Sequence, residues 1–83
     1  MLRTEVTVSG AGTWVFTTAR TGVDPATGKE EYETTVSAPC CQSAKPIRRC
    51  LTEQRARQVH QTLVDEFAAT ESADTEIRSW PWP

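Results

Sequence analysis

Hydrophobic residues in this chain change their spacing once. Up to Pro39 they alternate with polar residues, and from Thr52 they recur every three or four positions. A period of two belongs to a strand with one buried face and a period near 3.6 to an amphipathic helix, so the chain reads as strands followed by a helix. Leu2, Thr4, Val6 and Val8 alternate with Arg3, Glu5, Thr7 and Ser9, which predicts a strand over about 2–9, closed by the turn Gly10-Ala11-Gly12. A second strand over about 13–20 puts Trp14 and Phe16 on one face and Val15 and Ala19 on the other, the pattern of a central strand. Asp24-Pro25 and Gly28 then signal a hairpin, because Pro25 pre-sets φ for a type I turn and Gly28 accepts a left-handed conformation. The return strand, about 30–38, alternates Tyr32, Thr34, Val36 and Ala38 with Glu31, Glu33, Thr35 and Ser37.

Pro39 ends that strand, and Cys40 to Cys50 reads as an irregular loop. The helix is expected over about 52–69, with Thr52 as N-cap, Leu51 stapled onto Ala56, and an apolar stripe of Ala56, Val59, Leu63, Val64, Phe67 and Ala68. Residues 75–83 read as an extended tail rich in Trp and Pro. The expected fold is a small two-layer α+β domain over 1–74: a three-stranded antiparallel β-meander followed by one helix (β-β-β-α), with the tail appended. Its core would hold Val6, Val8, Trp14, Phe16, Tyr32, Val36, Val59, Leu63 and Phe67.

A chain of 83 residues has room for one domain. At that size only about 60% of the unfolded surface is buried, which argues against an elaborate active site. A net charge of −2 excludes a globally basic nucleic-acid binder and a polyacidic mimic alike, leaving local patches to carry function. No apolar run reaches the roughly 20 residues of a membrane span, and the opening Met1-Leu2-Arg3-Thr4-Glu5 reads as neither a signal nor a transit peptide, so a cytoplasmic protein is expected. The chain has no Asn, and Arg outnumbers Lys seven to two. That codon bias fits a high-G+C source, an actinobacterium or one of its phages, and hence a viral protein as one expectation.

Cys40, Cys41, Cys50 and His60 are the residue types of a Cys3His zinc site, but adjacent cysteines point apart, and His60 lies about two turns inside the helix. No metal site is expected, and zinc is the one cofactor the residues bring into question. A disulfide from Cys50 to Cys40 or Cys41 competes with the plainer reading of free thiols. Cys50, preceded by Arg48 and Arg49 ahead of a helix, is a candidate nucleophile by its neighbours, yet neither a placed base nor an oxyanion donor accompanies it. The chain is therefore read as a non-enzyme without catalytic residues, and His60 as a boundary residue beside the apolar stripe.

Lys45, Arg48, Arg49, Arg55 and Arg57 crowd around the helix start against Glu53 alone. Cations there oppose the helix dipole, so helix stability does not explain them. Trp80 and Trp82 alternate with prolines at the end of the tail, large rings in an extended segment suited to docking. The expected function is a small non-enzymatic protein-interaction module acting through Arg48, Arg49, Arg55, Arg57, Trp80 and Trp82. The alternatives are a nucleic-acid-associated regulator using the basic patch and a zinc-stabilised small module. A protein partner is expected, nucleic acid is the second choice, a homodimer formed by tail exchange the third, and a membrane is not expected.

Overall fold

The computed structural model describes residues 2–23, 25–39, 45–71 and 74–80. Among these described residues five strands and one helix follow in the order β1 (Leu2–Val8), β2 (Gly12–Val23), β3 (Glu30–Ser37), β4 (Lys45–Cys50), α1 (Glu53–Thr70) and β5 (Thr75–Trp80). The sheet is antiparallel with strand order β4-β3-β2-β1-β5, and β2 is its middle strand. The α+β class and the first three strands agree with the sequence reading, but the sheet has five strands and not three. The segment read as an irregular loop contains β4, and the segment read as an extended tail contains β5, which lies along β1 from Arg3↔Trp80 to Val8↔Thr75. Both additions are edge strands, where neither alternation nor burial is required to hold a strand in place.

Alternation decides which face the helix covers. Val6 and Val8 on β1, Phe16 on β2 and Tyr32 on β3 are buried beneath α1, and Val64 meets Val6, Val8 and Phe16 from the helix. Trp14, Val36, Ile47, Leu63 and Phe67 pack around that cluster, with the Phe67 ring centroid 5.1 Å from Trp14 and 5.6 Å from Phe16. The opposite face carries Thr7, Thr13, Thr17, Thr35, Glu5 and Glu33 with Val15 and Ala19 among them, and all but the exposed Thr7 are half-buried. α1 begins as expected, with the Arg55 N–H donating to Thr52 Oγ1 at 3.1 Å. Leu51 is 52% exposed rather than stapled beneath the first turn.

His60 departs furthest from expectation. Instead of lying at the boundary it is 1% exposed, on one line with Ala56 and Val64 along the buried stripe of α1. Its Nε2 lies 2.8 Å from Thr4 Oγ1 and its Nδ1 2.8 Å from Thr18 Oγ1. Thr18 bonds onward to Thr34 at 2.6 Å, and Thr4 to Ser79 at 3.2 Å. One imidazole thereby joins β5, β1, β2 and β3 through four hydroxyls. Hydroxyls donate or accept as needed, so either tautomer is satisfied, and no buried side-chain polar atom among the described residues lacks a partner. Burial nevertheless disfavours the charged ring and pushes its pKa below the ordinary histidine value.

The β1–β2 turn requires glycine. Gly12 has φ +114°, and a Cβ there would lie 2.7 Å from Pro39 Cβ and 2.8 Å from its Cγ, against a ring that cannot swing away. Gly12→Ala is expected to cost about 2 kcal/mol, combining a disfavoured backbone with a clash. Gly10→Ala, where φ is +81° but nothing lies within 4 Å, is expected to cost less. Chemical denaturation of the two variants measures the difference, and equal losses would assign the whole effect to backbone conformation.

Candidate protein-binding groove

β4 is an edge strand because Pro46 removes an N–H that a central strand would need. Its register against β3 shifts between Thr34 and Thr35, where Arg48 stands opposite Thr34 and Pro46 opposite Thr35 with Ile47 as the extra residue. The bulge turns consecutive side chains to useful work. Ile47 packs on the core, while Arg48 faces α1 across a cleft.

That cleft has a volume of about 180 Å³, walled by Arg48 on β4 and by Arg55, Gln58, Val59, Thr62, Leu63 and Glu66 on α1. It runs on into a shallower hollow near the helix start, where Arg48, Arg55 and Val59 recur beside Cys50 and the exposed Leu51. The spacing of 55, 59 and 62–63 places these side chains on one flank of the helix, next to the buried line of Ala56, His60 and Val64. Among the described residues neither Arg48 nor Arg55 has a carboxylate in ion-pair contact, and Arg48 bonds only the carbonyl of Ile47, at 3.0 Å. Val59 and Leu63, both expected in the core, are half-buried, and both line the cleft.

The other sequence candidates are elsewhere. Arg49 turns to the open face and pairs with Glu33 at 3.2 Å, and Arg57 pairs with Glu53 one helical turn away at 2.9 Å. Trp80 stands at the opposite edge of the sheet, 42% exposed, with the Arg3 and Arg78 guanidinium carbons 5.3 and 5.7 Å from its ring centroid. Trp82 lies outside the described residues. So the five arginines and tryptophans that are described do not form one surface; Arg48 and Arg55 alone converge.

Of the zinc candidates, Cys40 and Cys41 lie outside the described residues, and Cys50 is a free, half-buried thiol. His60 commits both ring nitrogens to threonine hydroxyls, so it is not presented to Cys50 as a ligand or a base. Among the described residues no group of three His, Cys, Asp or Glu side chains is placed to hold a metal ion, and no helix is long and apolar enough to cross a membrane. A separate polar cluster sits by the β2–β3 hairpin. There the Tyr32 hydroxyl donates to Glu30 and Arg20 pairs with it at 2.8 Å, in that order holding the carboxyl below its usual range, while the bond to Glu30 raises the Tyr32 phenol.

No protein-family model, curated protein or solved structure matches this chain.

Proposed function

We propose that this chain is a small non-enzymatic protein-interaction module, an accessory protein of actinobacterial or phage type that acts by occupying a partner. Its contact is the β4–α1 groove, and its ligand is a segment of a protein that carries acidic residues beside an aliphatic one. The supporting observation is the pairing of two arginines that lack ion-pair partners among the described residues with an apolar wall of Val59 and Leu63. Arginine binds carboxylates in a planar fork and is weakly hydrated for a cation, which suits it to an interface. The neighbouring Leu51, more than half exposed, extends the apolar floor toward the helix start.

Phosphate would also satisfy Arg48 and Arg55, and a nucleic-acid regulator is the second reading. Against it stands the lack, among the described residues that line the cleft, of an aromatic ring for base stacking. Fluorescence anisotropy with a labelled acidic, leucine-bearing peptide and with a labelled DNA duplex separates the two. The peptide is expected to bind, and Arg48→Glu with Arg55→Glu to weaken it at least tenfold, about 1.4 kcal/mol or more. Binding of the duplex alone, falling steeply with salt, would replace this reading with the nucleic-acid one.

A further inference from the structure

We infer that the chain pairs with a second copy of itself along the free edge of β5, antiparallel, about a two-fold axis at Ile77. All six residues of β5 are exposed, and among the described residues the strand is hydrogen-bonded to a neighbour on its β1 side alone. Its other edge therefore presents a row of unpaired N–H and C=O groups, the usual template for strand addition.

What identifies the occupant is the order of side chains. Laid antiparallel on itself about Ile77, β5 sets Glu76 of each copy opposite Arg78 of the other, Thr75 opposite Ser79, and Ile77 opposite Ile77. From Thr75 to Ser79 each position meets its chemical complement, as an isologous contact requires, and Trp80 lies past the paired stretch, level with Asp74. The faces agree as well. Thr75, Ile77 and Ser79 stand opposite Val8, Val6 and Thr4 and share the helix side, whereas Glu76 and Arg78 stand opposite Thr7 and Glu5 on the open side. Ile77 is 47% exposed, although its neighbour Val6 is fully buried, because α1 does not reach that far. Its twin would cover it. Arg78 is already steadied by the Trp80 ring, which lowers the cost of holding it toward Glu76 of the other copy.

The other sheet edge lacks this property. β4 carries Arg48 and Arg49 with no acid, so antiparallel self-pairing there offers no opposite charges, and Pro46 breaks its hydrogen-bonding row. The inferred dimer is a continuous ten-stranded sheet with both helices on one face. The two Arg48–Arg55 grooves then lie at its far ends, so the dimer stands whether or not the groove binds as proposed.

Sedimentation velocity on the full chain at rising concentration tests it. Wild type is expected to pass from monomer to dimer. Glu76→Arg, whose position faces uncharged Thr7 on its own β1, sets like charges across the axis and is expected to weaken self-association by at least roughly tenfold. Arg78→Glu sets like charges across the axis with the opposite sign and also faces Glu5 on its own β1, so its melting temperature is measured alongside to show that β5 stays docked. Mixed in equal amounts, the two variants recover complementary pairs and are expected to form a heterodimer. A wild type that stays monomeric throughout would overturn the inference, as would a Glu76→Arg chain that dimerises like wild type. If both single variants are monomeric and keep the wild-type helical signal in circular dichroism, a mixture that stays monomeric overturns it too.

Discussion

Replacing His60 with alanine is expected to lower stability by about 4 kcal/mol, the sum of a buried cavity and of hydroxyls left short of a partner. A domain of 83 residues has roughly 4–12 kcal/mol in total, so the variant is expected to sit close to unfolding at room temperature. Urea titration followed by circular dichroism measures the loss. A loss below about 1 kcal/mol would show that the four hydroxyls rearrange among themselves without the ring.

The same residue carries a pH dependence whose direction is determined by burial. The unfolded imidazole takes up a proton near its ordinary value of 6.5, while the folded one, with its pKa lowered, resists it. The unfolded chain therefore binds more protons as the solution is acidified. Stability is complete above about pH 6.5, declines below it, and stops declining once the folded ring protonates as well. Melts from about pH 8 to about pH 5 keep most carboxylates ionised, and a His60→Gln variant is expected to flatten the slope in that window. An unchanged slope in the variant would move the effect to another group.

Phe67→Ala is expected to be nearly as costly, at about 3 kcal/mol. Phe67 closes the aromatic corner with Trp14 and Phe16, and each ring contact adds about 0.5–1.5 kcal/mol beyond the area it buries. The ring is only half-buried, which places the figure at the lower end of what phenylalanine truncations cost. Phe67→Leu restores most of the volume but not the ring geometry, and is expected to lose about 1 kcal/mol while weakening the near-ultraviolet signal of Trp14. If leucine and alanine lose equally, the ring contacts and not the volume account for the effect.

Local rules were enough for part of this fold. β1, β2 and β3 alternate cleanly, Gly28 takes the positive φ of +71° that the hairpin needs, and Thr52 caps the helix. β4 escaped those rules because Pro46 and a bulge break the alternation, and β5 because both its faces are exposed and its two large apolar residues, Ile77 and Trp80, do not alternate. Position 60 was readable in principle. Ala56, His60 and Val64 are spaced by four on one helical line, and Thr4, Thr18 and Thr34 all fall on the inward side of their strands. Hydroxyls on a face that packs need a polar partner, and the lone histidine is the group that can serve two of them. In the groove the arginines were visible as a cluster, but which of them converge depended on the extra residue in β4.

The hydroxyl line through His60 also removes an ambiguity that apolar residues leave open. Sliding a strand by one residue exchanges its faces and is opposed by every valine and aromatic in the sheet. Sliding by two preserves the faces, and in a threonine-rich sheet it costs comparatively little apolar contact. Yet it carries a hydroxyl about 7 Å along the strand and strands an imidazole nitrogen in a dry interior. Thr4, Thr18, Thr34 and Ser79 thus work as alignment marks read by one ring, disfavouring near-native arrangements that hydrophobic burial by itself tolerates.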